Sequence, residues 1–149
     1  MIAIDLSEDG PRIVALVGAR EHVLKDGRFL RVSKWLKHFR EIGSDRKKVY
    51  STLLPRRFEK VKPLLDVVKI RFNVSEVQVL LEGLKPLLVI VDDKLYNEVE
   101  YPRKVKESRI KERHRRKLVL IADNIANYFR ILYNNNPRRF REELERFEK

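Results

Sequence analysis

The sequence predicts an α/β domain: a mixed β-sheet, antiparallel at first and parallel later, flanked by helices and ending in a long C-terminal helix. Three observations predict it. Two short runs of alternating apolar residues, 2–6 and 12–17, open the chain around a Gly-Pro turn. A strand–helix–strand pattern occupies residues 67–91, and apolar positions at helical spacing then recur from Ile110 to Leu132. At 149 residues the chain reads as one domain, 1–149, with residues 134–149 as a short helical extension.

Ile2, Ile4 and Leu6 alternate with Ala3 and Asp5 as in a strand. Residues 7–11 form a turn in which Asp9-Gly10 supplies the turn chemistry, and residues 12–17 make a second strand. Val23-Leu24, Asp26-Gly27 and Phe29-Leu30 predict a hairpin, because Asp-Gly tolerates the positive φ of a tight turn. Ser33 predicts an N-cap for a helix carrying Trp35, Leu36, Phe39 and Ile42, stopped by Gly43. Residues 44–51 read as a polar loop. Pro55 reads as the first turn of another helix, with Phe58 and Val61 inward and Pro63 as its limit.

Residues 67–72 predict a strand, Ser75 a cap, and residues 76–84 a helix. The uninterrupted apolar run 87–91 is that of a strand buried on both faces. Such a β-α-β unit implies parallel strands joined by a right-handed connection. After Pro102 comes a long helix, basic in its first half and amphipathic in its second, ended by Asn134-Asn-Asn136. Pro137 then starts the terminal helix, with Phe140, Leu144 and Phe147 inward.

Charge narrows the function. Thirty-four basic residues against 22 acidic give a net charge of +12, which favours a polyanionic partner. The densest stretch supplies Arg103, Lys104, Lys106, Arg109, Lys111, Arg113, Arg115, Arg116 and Lys117 as candidates for binding the phosphates of DNA or RNA. The alternative is a solvated helix in which Glu107 and Glu112 make local ion pairs. Tyr50, Tyr96 and Tyr101 flank polar loops and could stack on bases. The absence of cysteine excludes disulfides and thiolate metal sites, and His22, His38 and His114 fit no zinc spacing. Any metal must therefore be held mainly by oxygen, which points to Mg²⁺ or Mn²⁺. No apolar stretch approaches the ~20 residues that cross a bilayer, and Asp5 interrupts the first apolar run. The expectation is a soluble, cytoplasmic protein without a membrane partner, of thermophile-like composition.

Against this basic background a few acids stand at telling places. Asp5 ends the first apolar run, Asp92-Asp93 ends another, and Asp123 sits between Ile121 and Ile125 in the long helix. Carboxylates at two strand ends and on a following helix can converge on a divalent metal. Two such ions ~4 Å apart would activate water and neutralise a phosphodiester. Asp5 would be the central ligand, Asp92 or Asp93 a second, Asp123 a third, and Glu76 a candidate fourth. Structural alternatives exist for each. Asp5 could cap turn amides, Asp123 could pair with an arginine, and Glu76 could be a favourable first-turn acid.

The element order resembles the ribonuclease H-like superfamily. The segments Val89-Ile-Val-Asp92-Asp93-Lys94-Leu95 and Ile121-Ala-Asp123-Asn-Ile-Ala126 resemble the Holliday-junction resolvase and pre-ribosomal-RNA nuclease family. That family has a first strand ending in Asp, a later strand ending in Asp-Glu-Arg-Leu, and an Asp in its last helix. The resemblance implies a ribonuclease H-like fold and a metal-dependent nuclease acting on branched DNA or precursor RNA. It also leaves open a non-catalytic nucleic-acid-binding module, or a subunit of a ribonucleoprotein or repair complex, on the same scaffold. Ser7 stands where the family has Gly, Asp93 where it has Glu, Lys94 where it has Arg, and the family's Gly-Leu-Pro is absent. These departures bear on catalytic competence more than on the fold.

Overall fold

Two central strands, β1 (Ile2–Ser7) and β2 (Ile13–Gly18), pair antiparallel, with Ile2 opposite Gly18 and Ser7 opposite Ile13. The structure is a computed structural model that describes residues 1–7 and 10–149. Asp9 of the predicted turn lies outside the described residues, but Gly10 adopts a φ of +99°, a region that glycine enters freely. β3 (Val67–Arg71) pairs antiparallel with β2. On the other side, β4 (Val89–Val91) pairs parallel with β1, and β5 (Lys104–Lys106) parallel with β4. The sheet is therefore mixed, in the order β3-β2-β1-β4-β5.

Both faces of the sheet are covered, so every residue of β1 and β2 is buried. One face packs against the long helix α5 (Arg113–Asn135), with α3 (Ser44–Val61) and α6 (Pro137–Phe147) beyond. Alanines meet here, Ala3 and Ala15 from the sheet and Ala122 and Ala126 from α5, which lets the helix lie close. The other face, Ile2, Ile4, Val14 and Leu16, is closed by α4 (Val74–Leu84) through Val77 and Leu81, and by Leu95 and Val99. The outer edge of β3 is also occupied. Val68 and Lys149 exchange backbone hydrogen bonds at 3.0 Å, and the Ile70 amide donates to Glu148 at 3.1 Å. An open edge that could recruit another chain is thereby blunted.

Four segments fold differently from their sequence pattern. The Asp26-Gly27 pair makes no hairpin. It separates two short helices, α1 (Glu21–Leu24) and α2 (Gly27–Val32), and the Asp26 carboxylate caps α2 by accepting from the Arg28 amide at 2.8 Å. The third antiparallel strand is β3 instead. Residues 34–42 form no helix beyond a 3₁₀ turn at Phe39–Glu41, although Leu36, Phe39 and Ile42 are buried. Side chains of other helices take this segment's backbone bonds: Asn124 donates to the Lys37 carbonyl, and the Lys37 amide donates to Tyr50.

α3 begins at Ser44 and runs through Pro55. Proline removes one helical hydrogen bond, but Leu54, Pro55, Phe58 and Val61 bury a continuous face that outweighs the loss. The basic stretch after Pro102 starts as β5 and a 3₁₀ turn, Glu107–Arg109, before α5 begins at Arg113. Lys-Val-Lys alternates as an edge strand does, with Val105 packed on the core. The cap of α4 is Asn73, which accepts from the Glu76 amide, not Ser75. β3 and β4 point the same way but are separated by β2 and β1, so the strand–helix–strand unit spans the sheet's centre.

α6 is anchored by Phe147, fully buried and stacked on Phe58 with ring centroids 4.5 Å apart. Phe147→Ala should cost about 3–5 kcal/mol of unfolding free energy, measured by denaturant titration. A loss below about 1 kcal/mol would show that α6 does not complete the core.

Candidate metal centre

Register assembles the site. Ile4 lies opposite Val91, and Val91 opposite Lys106. The next residue in each case is an acid: Asp5 within β1, Asp92 just past β4 and Glu107 just past β5. Side chains alternate between sheet faces, and the preceding in-register row, Ala3, Ile90 and Val105, packs in the core shared with α5. Two residues further on, the acids project from the same face. Each offers an oxygen, and those oxygens all lie within 4.8 Å of one another. Three carboxylates so placed could hold a metal ion, and a donor set of carboxylate oxygens suits a hard divalent cation.

Asp123 completes the acidic ground from α5. It is buried, beside Asp5, and fixed by two donors: the Phe39 amide reaches its Oδ2 at 2.8 Å and Asn127 Nδ2 its Oδ1 at 3.2 Å. The segment around Phe39 therefore roofs the acids as well as plugging the core. It brings His38 with it, whose Nδ1 lies 3.7 Å from Asp123 and whose Nε2 lies 4.0 Å from Glu107.

The electrostatics follow from crowding. Burial raises Asp5 well above the ordinary carboxylate range, and the adjacent Asp92, Asp123 and Glu107 push the same way. Burial and then the charges of Asp92, Asp123 and Asp93 push Glu107 up to about 7. Burial also raises Asp123, while the Phe39 amide and His38 pull against it. Without a cation, Glu107, pushed up to about 7, is still partly protonated at neutral pH. A bound cation would displace that proton.

The structure separates the acids that the sequence grouped. Asp5, Asp92 and Asp123 come together. Asp93 is exposed and turns away to accept from the Ser108 amide at 3.2 Å; the Ser108 side chain, with the amide and the nearby Lys106 and Arg109 adding to it, holds its carboxyl below the usual range. Glu76 serves α4, accepting from Asn73 and lying 3.7 Å from Arg71. Glu107, read from the sequence as a local ion-pair partner, is the acid that sequence reasoning missed. Its signal was present: once Lys-Val-Lys is read as a strand, Glu107 ends it as Asp92 ends β4.

The basic stretch also divides. Lys104 is consumed internally, donating to the Tyr96 and Val99 carbonyls and lying 4.2 Å from the Tyr96 ring centre, with Lys106 at 5.3 Å. Arg115 pairs with Glu21 at 2.9 Å, and Lys117 donates to the Ser33 carbonyl. Arg103, Arg109, Lys111, Arg113 and Arg116 are exposed, although Arg116 Nε donates to the Ile110 carbonyl. The first turn of α5 carries cations and no acid, the reverse of what the helix dipole prefers. Glu112 lies 3.9 Å from Arg115 and offsets part of that charge. No helix among the described residues is long and apolar enough to cross a membrane.

Comparison of the sequence with protein-family models gives no match, and comparison with curated proteins gives none.

A pH dependence follows from the crowding. Asp5 and Glu107 keep their protons to higher pH when folded than when unfolded, so their contribution to metal-free stability falls as pH rises. For Glu107 the window runs from the ordinary 4.5 through about 7, and for Asp5 it opens at 3.8. Asp5→Asn removes one charge, so at about pH 8 the metal-free variant should melt above wild type, by about 2–4 °C per kcal/mol relieved. The two melting curves should converge near about pH 4. A variant that melts lower than wild type across the range would show that Asp5 is not under repulsive strain.

Proposed function

We propose that this chain is a divalent-metal-dependent nuclease on a ribonuclease H-like scaffold, acting on structured nucleic acid such as branched DNA or precursor RNA. One observation carries the reading: Asp5, Asp92 and Glu107 form a row across three parallel strands, with Asp123 buried behind them, in a chain of net charge +12. A mixed sheet that is antiparallel on one side of β1 and parallel on the other, with a long helix across it, supports the superfamily resemblance. The carboxylate set partly departs from the family's pattern, because Glu107 contributes from after β5 while Asp93 faces away.

Asp5, Asp92 and Glu107 would hold the cation, Mg²⁺ or Mn²⁺, with Asp123 beside Asp5. A divalent cation bound there supplies charge neutralisation at a phosphate and lowers the pKa of bound water. The protein's part is positional. The sheet fixes Asp5 and Asp92 through backbone pairing, since the Asp92 amide donates to the Ile4 carbonyl at 2.9 Å. The Phe39 amide and Asn127 orient Asp123. The exposed cations Arg109, Lys111, Arg113 and Arg116 attract the backbone phosphates without reading sequence.

The test is cleavage of a four-way DNA junction and a precursor RNA with Mn²⁺, using wild type, Asp5→Asn and Asp93→Asn. Asp5→Asn should lose at least about 100-fold in rate while nucleic-acid binding persists or tightens, because negative charge is removed. Asp93→Asn should cleave as wild type does. Cleavage by Asp5→Asn at the wild-type rate would show that the site is wrongly assigned. Wild type that binds but cleaves neither substrate would make the chain a binding module.

A further inference from the structure

Beside the acids lies a cation that the reading so far leaves unused. Arg130 is half-buried on α5, and its Nε donates to Ser7 Oγ at 2.6 Å while its Nη2 lies 3.4 Å from Asn127 Oδ1. Ser7 is buried and donates in turn to Asn127 Oδ1 at 3.3 Å. Asn127 donates to both the carbonyl and the carboxylate of Asp123. A polar chain thus runs from Arg130 through Ser7 and Asn127 to the acidic site.

Periodicity puts it there. Asp5 and Ser7 alternate onto one face of β1, about 6.7 Å apart along the strand. Asp123, Asn127 and Arg130 share one face of α5, and a helical side chain leans back towards the N-terminus. The interface between β1 and α5 is apolar at Ala3 and Ala122, acidic at Asp5 and Asp123, and then basic at Arg130.

The charge calls for an explanation. Among the described residues the hydrogen-bond partners of Arg130 are neutral oxygens, and no carboxylate pairs with its guanidinium. A strut between β1 and α5 needs no cation, because Ser7 and Asn127 already bond across that interface. Keeping a guanidinium half out of water carries a cost that a neutral link would avoid. The guanidinium also has five N–H donors, more than Ser7 and Asn127 use. Its planar fork matches a phosphate, and the hold on Nε fixes the orientation in advance.

We propose that Arg130, aimed by Ser7 and Asn127, is a phosphate subsite that binds the nucleic-acid backbone one step along from the phosphate at the acidic row. The spacing of Ser7 from Asp5 is comparable with that of neighbouring phosphates in an extended strand. Arg116 lies seven residues before Asp123 on nearly the same helix face, and Arg130 seven after it. The two arginines bracket the acids, so the strand runs along α5 across the site. The proposal rests on the reading of the chain as a nucleic-acid protein, and it specifies the direction in which the substrate lies.

The test is a salt titration of oligonucleotide binding in EDTA, with wild type, Arg130→Gln, Arg130→Lys and, as a control, Lys60→Gln on α3. Arg130→Gln should weaken binding about tenfold, and its log K against log[salt] slope should be shallower by about 0.7 for a single strand or 0.9 for a duplex. Arg130→Lys should keep the wild-type slope, as should Lys60→Gln. A folded Arg130→Gln with the wild-type slope overturns the proposal. A measurement on the unaltered chain stands beside it: the Nε–H resonance of Arg130 should shift as oligonucleotide is added, and an unmoved resonance at saturation also overturns it. If inorganic phosphate moves that resonance at lower concentration than oligonucleotide phosphates do, the site belongs to free phosphate and the assignment fails. Failure of the nuclease reading looks different. Arg130-dependent binding without cleavage supports the subsite and removes the catalytic role, whereas no binding by wild type removes both.

Discussion

The in-register alignment of three parallel strands crowds buried Asp5 against half-buried Asp92 and Glu107, and most of what distinguishes this molecule depends on that constraint. Pairing of Ile4 with Val91 and of Val91 with Lys106 sets the backbones of Asp5, Asp92 and Glu107 side by side. α5 then adds Asp123 from above. Like charges at this spacing in a medium of low polarity repel strongly, so the arrangement persists only with bound protons or a bound cation. The raised affinity of Asp5, Glu107 and Asp123 for protons expresses the first solution. The second is the one that supports a function.

The rest of the fold serves this row. Alanines at Ala3, Ala15, Ala122 and Ala126 bring α5 close enough for Asp123 to reach Asp5. The segment from Leu36 to Ile42 gives up helical bonding so that its backbone can be held by Asn124 and Tyr50 and can present the Phe39 amide to Asp123. The cost of an irregular segment is offset by burying Leu36, Phe39 and Ile42 in the core. Gly18, opposite Val67, permits the close strand approach on the far side, since a Cβ there would come within 2.5 Å of Val67 Cγ1.

Much of this was legible in the sequence, for reasons that differ by element. β1, β2, β3 and β4 announce themselves because their apolar patterns are set by burial on the sheet's two faces, which is local information. Asp5, Asp92 and Asp123 stood out because acids that end or interrupt apolar runs are costly without a purpose. What failed depended on partners distant in sequence. Asp26-Gly27 suits a turn and a helix cap equally, and only the packing of Phe29 and Leu24 decides for helices. Pro55 looked like a helix start because a proline inside a helix is tolerated only where its face is buried. β5 is three residues long and two of them are lysines, too short to show a period. Missing it concealed Glu107 and left the choice between Asp92 and Asp93 open, which is a matter of which sheet face each side chain takes.

The basic surface carries a similar lesson. A run of cations in sequence is one charge cluster on paper, but Lys104, Arg115 and Lys117 are tied to backbone carbonyls and to Glu21. Arg130, isolated in the sequence, is linked to the acidic cluster through Ser7 and Asn127. The measurement that tests the central claim most directly is anomalous diffraction from crystals of the protein grown with Mn²⁺. The account predicts an anomalous peak bounded by carboxylate oxygens of Asp5, Asp92 and Glu107. A Mn²⁺-saturated crystal without that peak, or with its ion held by Asp93 instead, would contradict it.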